Sequence, residues 1–170
     1  TASGDQTVKL WKLDGTLLTT LNGHSDVVNT VAFSPQGNII ATASSDKTVK
    51  LWRASDGTLL TTLKGHSDLV SAVTFSPVGV ASPQAFGQLI ATASRDKTIK
   101  LWKQDGTLLT TLKGHSDVVS AVAFSPDGQM LATASWDKTV KLWKRDGTLL
   151  TTLNNPSGKV YGLAFSPEGD

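Results

Sequence analysis

The sequence predicts an all-β protein assembled from four copies of one short unit. The phrase D-x-T-[VI]-K-L-W, then a D-G pair, then G-T-L-L-T-T-L recurs. Its tryptophans, Trp11, Trp52, Trp102 and Trp143, stand 41, 50 and 41 residues apart. A unit near 40 residues is too small to bury its own faces, so the copies must pack on one another in a stacked or radial array. Each copy holds short segments rich in Val, Ile, Leu and Thr between turn residues, and no apolar period of 3.6 lasts ten residues without Gly or Pro.

In the second unit, four strands (a to d) are predicted at Val27 to Ser34, Ile39 to Ser44, Thr48 to Arg53 and Thr58 to Leu63. Ser34-Pro35-Gln36-Gly37 joins a to b, with Pro second and Gly fourth as a tight turn prefers. Asp14-Gly15, Asp56-Gly57, Asp105-Gly106 and Asp146-Gly147 supply the c–d turns, where Gly accepts positive φ. Read this way, residues 1–21 give the end of strand b followed by c and d. Residues 22–63, 64–112 and 113–153 are full sets. A lone strand a, Lys159 to Ser166, lies within 154–170. The expected inventory is three whole four-stranded sheets and one sheet split between the two chain ends. The insert Val78 to Phe86 lengthens one a–b connection by eight residues and is expected as a surface loop.

Composition bounds the function. The 170 residues allow one ordinary domain, and 39% hydrophobic with 18% charged residues supports a packed core. Sixteen basic and 14 acidic residues, net +2, give no reason to expect a specific nucleic-acid partner. The absence of cysteine excludes disulfides, thiolate metal sites and cysteine nucleophiles. Apolar runs fall far short of a membrane span, and no charged-then-apolar leader opens the chain. The expectation is a cytoplasmic protein with no membrane partner. Position 1 falls inside a unit, so the chain reads as a piece of a longer gene product.

Gly23-His24, Gly65-His66 and Gly114-His115 precede strand a. Ser44 and Asp46, Ser94 and Asp96, and Ser135 and Asp137 end strand b, and Trp52, Trp102 and Trp143 end strand c. This joint pattern resembles the WD40 repeat family of β-propellers over the whole chain, with Lys or Arg after each tryptophan in place of Asp. The resemblance implies four-stranded antiparallel blades, each with a buried chain of hydrogen bonds through Trp, Ser, His and Asp. Physically, an indole N–H, a hydroxyl, an imidazole and a carboxylate can satisfy one another, and a buried polar group left alone costs about 1–3 kcal/mol. Ser, His and Asp also suggest a hydrolase triad. A nucleophile site is made once, however, with a strained serine and an oxyanion hole. Here the trio occurs three times with a tryptophan, so a structural role is expected. The histidines are 42 and 49 residues apart, one per blade, which argues against a shared metal. No enzymatic activity and no cofactor is expected.

Near-identical copies make their differences informative. The residue between Ser and Asp is Gly4, Ser45, Arg95 or Trp136, and a second variable position, in strand a, holds Asn29, Ser71, Ser120 or Tyr161. By the resemblance, the first position lies on the face where partners dock, so Trp136, Arg95, Tyr161, Asn29 and Ser45 are candidate partner-binding residues. Lys47, Lys50 and their equivalents are expected to solubilise the outer strands. Pro156 replaces the histidine of the split unit, leaving Ser3, Asp5 and Trp11 without that partner. That blade is expected to be the least stable. An insert and a broken copy favour a recently amplified natural array over a designed one.

Complementary strands at the two ends can close within one chain as four blades or between two chains as eight. WD40 blades resemble wedges suited to rings of seven or eight, so a head-to-tail homodimer formed by strand exchange at the split blade is expected. The resulting function is a non-catalytic protein-interaction scaffold with a protein or peptide partner. The alternatives are a ligand-sensing part of a larger bacterial signalling NTPase or kinase, which near-identical arrays resemble, and an engineered blade-assembly unit without activity of its own.

Overall fold

Repetition in the sequence becomes repetition in space. The computed structural model describes residues 1–77, 88–155 and 157–169. The predicted loop Val78 to Phe86 and Pro156 lie outside the described residues. Strands β1 (Val8–Trp11) and β2 (Leu17–Leu21) form a two-stranded sheet. Three four-stranded antiparallel sheets follow, each in simple meander order. The first comprises β3 (Val28–Phe33), β4 (Ile39–Ser44), β5 (Thr48–Arg53) and β6 (Leu59–Lys64). The second comprises β7 (Val70–Phe75), β8 (Leu89–Ser94), β9 (Ile99–Lys103) and β10 (Leu108–Leu112). The third comprises β11 (Val119–Phe124), β12 (Met130–Ser135), β13 (Thr139–Lys144) and β14 (Leu149–Asn154).

The turns are those the residues dictate. Gly37 N–H donates to Ser34 O at 2.7 Å in the Ser-Pro-Gln-Gly turn. In the c–d turn, Gly57 sits at φ +73, and a Cβ there would come 2.8 Å from Leu21 Cδ2 of the preceding sheet. The glycine therefore serves both the turn and the contact between blades.

Strand b is buried along nearly its whole length (β4, β8 and β12). Sheets lie on both sides of β4 and β8, and beside β12 the chain around Val160 docks in place of a further sheet. Between blades the same fit recurs. Trp52 shares a buried cluster with Val8, Leu10 and Leu21 of the blade before it. Trp102 does so with Val49, Leu51 and Leu63, and Trp143 with Ile99, Leu101 and Leu112. Each of these tryptophans is 2–3% exposed. At the chain's two extremities the fit is unfilled. Trp11 is 47% exposed and Leu153, the counterpart of Leu63 and Leu112, is 51% exposed.

The split blade departs from expectation. Residues 159–166 form no strand, and of the strand b expected at residues 1–3 only an isolated bridge, Ala2 to Val8, is present. Each half is nonetheless docked on its own neighbour: Val28 N–H donates to Ser3 O at 3.2 Å, and Val160 N–H donates to Ser135 O at 3.1 Å. A strand needs a ladder partner, and among the described residues no backbone hydrogen bond joins residues 1–5 to 159–166. Phe33, which would lie under the missing strand a, is 55% exposed, whereas Phe75 and Phe124 are buried.

Replacing Leu101 by Ala would empty the floor under Trp143 and should lower the urea midpoint by an amount corresponding to about 2–5 kcal/mol. A midpoint within experimental error of the parent would refute this account of the seam.

Candidate functional site

Each complete blade holds one buried polar chain. In the first, Trp52 Nε1–H donates to Thr42 Oγ1 at 2.9 Å, and Thr42 Oγ1 lies 2.7 Å from His24 Nε2. His24 Nδ1 lies 2.7 Å from Asp46 Oδ2. A carboxylate only accepts, so Nδ1 carries the proton, Nε2 accepts from the threonine hydroxyl, and that oxygen accepts from the indole. Asp46 also accepts from Thr48 N–H and Oγ1–H and from Ser25 N–H. The other blades repeat this within 0.1 Å through Trp102, Thr92, His66 and Asp96, and through Trp143, Thr133, His115 and Asp137.

The hydroxyl in the chain corrects the sequence expectation. It belongs to Thr42, Thr92 and Thr133, not to Ser44, Ser94 and Ser135. Ser44 Oγ accepts Asp46 N–H at 3.0 Å and donates to Asp26 O at 3.1 Å, pinning the end of strand b to the loop before strand a. Ser94 and Ser135 do the same with Asp96 and Asp68, and with Asp137 and Asp117. Thr42 and Ser44 are two residues apart and project to the same side of the strand, so their types did not decide between them. Both hydroxyls recur in every copy, as Thr42 and Ser44 and their counterparts, so repetition did not separate them either. Among the described residues, none of these serines bonds its histidine as a hydrolase triad would require.

The split blade shows what the histidine does. Trp11 Nε1–H still donates to Thr1 Oγ1, at 3.3 Å, and Thr1 is the counterpart of Thr42. The loss expected for Trp11 is therefore partial. Asp5 turns to Lys9 Nζ at 3.2 Å, whereas the equivalent Lys50, Lys100 and Lys141 donate to threonines of strand d. The Asp5 side chain is 51% exposed, against 6–8% for the aspartates that hold a histidine.

The strand-a candidates divide. Asn29, Ser71 and Ser120 are bulge residues, since pairing with strand b skips them. The bulge re-aims the side chain, and each donates to the first strand-a carbonyl of the next blade. Asn29 Nδ2 reaches Val70 O at 2.9 Å, Ser71 Oγ reaches Val119 O, and Ser120 Oγ reaches Val160 O at 2.6 Å. Asn29 also bonds Ser45 Oγ at 3.2 Å. Asn29 thus ties two blades together, and Ser45 bonds it within its own blade. Arg95 is exposed. Trp136 and Tyr161 come together edge to face at 6.1 Å, with Lys159 Nζ 4.0 Å from the Trp136 ring centre. Lys159 was not singled out in the sequence, because only the fold brings it over the indole.

Three blades with one network, in one register, invite comparison with known repeats. The family model described as WD domain, G-beta repeat matches residues 15–53, 57–103 and 106–144. The chain belongs to the WD40 repeat family. Nuclear distribution protein PAC1 of Tuber melanosporum is 46% identical over 52 residues, 31% of this chain and 12% of that protein. Nuclear distribution protein nudF 2 of Aspergillus clavatus is 44% identical over 55 residues, 32% of this chain and 13% of that protein. Nuclear distribution protein nudF of Emericella nidulans is 40% identical over 55 residues, 32% of this chain and 12% of that protein. The matched stretch is little longer than one WD40 unit.

The WD40 networks also shift titration. Burial works against the charge of Asp46, but bonds from the Thr48 hydroxyl, His24 and the Ser25 and Thr48 amides outweigh it and hold the pKa at about 2. Asp137 is likewise lowered to about 2: burial again opposes, and Thr139, Ser116 N–H and His115 prevail. Burial pushes His24 and His115 below the ordinary 6.5, against the pull of their aspartates.

Two predictions follow from this WD40 chemistry. Thr42→Val orphans the buried Trp52 Nε1–H and His24 Nε2, at about 1–3 kcal/mol each. Ser44→Ala frees the carbonyl of the exposed Asp26 and the N–H of the half-buried Asp46, both nearer water than the Trp52 and His24 nitrogens, so Thr42→Val should lower the urea midpoint more; the reverse order would overturn the assignment of the bridge. The second concerns acid. Below pH 6.5 the unfolded chain takes up protons that the folded His24 and His115 refuse, and below 3.8 the same holds for Asp46 and Asp137. Stability therefore falls as pH drops through the histidine window, then again toward pH 2. Urea midpoints that stay constant from about pH 7 to about pH 5 would contradict the first step.

Proposed function

We propose that this chain is a non-catalytic protein-interaction scaffold whose first partner is a second copy of itself. Two chains join head to tail and share their eight blade-equivalents in one ring. The observation that carries the assembly is the unfilled pair of faces. Trp11 at one end has the form of the plug in all three internal seams, and Val140, Leu142 and Leu153 at the other end have the form of the pocket. The half-exposed Trp11, Leu153 and Phe33 support this pairing. Burial of one leucine side chain is worth about 1.5–3 kcal/mol. The edges agree as well, because residues 1–3 stand where strand b belongs and 159–166 where strand a belongs. Unpaired edges invite pairing, and head-to-tail contacts that close give cyclic rings.

On the face bearing the b–c turns, Arg95 and Trp136 offer residue types that dominate protein interfaces. We assign that patch to a protein or peptide partner. The role named by the nuclear distribution relatives is not carried over, because the match covers one unit and little more.

Light scattering after size exclusion should give about twice the chain mass of 17.9 kDa. Leu153→Asp should return the mass to that of one chain. A homogeneous 17.9 kDa species for the parent would sink the assembly. For the patch, Trp136→Ala with Arg95→Ala should abolish partner capture while leaving the mass unchanged.

A further inference from the structure

Two variable positions face each other within each blade, as the bond from Asn29 to Ser45 illustrates. One is the bulge residue of strand a, and the other is the residue just after the serine that ends strand b. Their sizes run in opposite directions. Ser71 with Arg95 and Ser120 with Trp136 pair small with large, while in the first blade the larger residue, Asn29, is on strand a and the small one, Ser45, follows strand b. The bulge residue of the split blade is Tyr161. Val28 pairs with Ser44, Val70 with Ser94 and Val119 with Ser135. By that register Val160 belongs opposite Ser3, and the mate of Tyr161 is Gly4.

Nothing within one chain requires glycine at position 4. Its backbone lies outside the left-handed region, and a Cβ built there would have no atom within 4 Å. An unneeded glycine loosens the unfolded chain, which disfavours folding. Tyr161, meanwhile, is 69% exposed.

We propose that Gly4 is the seat for the Tyr161 ring of a second copy, the small half of a small–large pair made only when the split blade closes between chains. This rests on the head-to-tail reading above. The pair also confers selectivity. An arm carrying Tyr161 that tried to displace strand a of an internal blade would meet Ser45, Arg95 or Trp136, each larger than Gly4. The reciprocal sizes thus direct the arm to the chain end and oppose strand swapping elsewhere.

The test compares the 170-residue chain with Gly4→Trp, Tyr161→Ser and the double variant by light scattering over a range of concentrations. Gly4→Trp should raise the dimer dissociation constant about tenfold or more. Adding Tyr161→Ser should recover most of that loss, because the third complete blade carries the same reversed pair, Ser120 with Trp136, at the two equivalent positions. The urea midpoint of Gly4→Trp, measured at a dilution where chains are separate, should match that of the parent, since the new side chain enters open space. A dimeric parent whose Gly4→Trp variant associates equally well, or a double variant no better than Gly4→Trp, overturns the pairing while sparing the assembly. A parent of one-chain mass at every concentration overturns both. If Gly4→Trp then lowers the midpoint of that monomer, the pair belongs to one chain closing on itself.

Discussion

One side chain per blade connects the two kinds of order in this molecule. The indole ring of Trp52, Trp102 or Trp143 plugs the pocket of the preceding blade, and its N–H anchors the polar chain inside its own. A four-stranded sheet with two apolar faces is not stable alone in water, so each blade depends on its neighbours. The tryptophan couples that dependence to local order. A blade whose threonine, histidine and aspartate are in place holds the indole in the one orientation that fills the seam. The glycine before each histidine completes the fit, since a Cβ on Gly23 would come within 3.1 Å of the Trp52 ring.

The split blade shows the polar chain coming apart in order. The indole keeps its threonine, because both belong to the same half. The aspartate loses its histidine and takes a lysine from its own strand, which leaves it half in water. In the complete blades the histidine and the following serine N–H, both from the loop before strand a, cover the carboxylate. Among the described residues Asp5 has neither bond, and its side chain is half exposed.

Much of this was legible in the sequence, because the repeat supplies its own internal standard. Strands b and c of the second unit run from Ile39 to Ser44 and Thr48 to Arg53 as expected, bounded by turns whose residues allow little else. Strand a was expected one residue too long at each end, and strand d one residue early. The histidines, aspartates and tryptophans were found by type and spacing. Two things were out of reach. Which of two hydroxyls on one strand face meets the histidine depends on the depth of the imidazole, which no spacing encodes. The bulge at Asn29, Ser71 and Ser120 is invisible as well, and it turns positions that vary like surface residues into clasps between blades.

Because every seam is the same plug in the same pocket, the repeats behave as interchangeable parts. Removing or duplicating the stretch from one tryptophan to the next would leave Trp11 and Leu153 facing outward as before, and every interior contact would find its counterpart. An indel of a few residues inside a strand has no such escape, since it shifts plug and pocket out of line. Such an array can change its length in whole units while its two end faces stay the same, and gene duplication is the kind of change that does this.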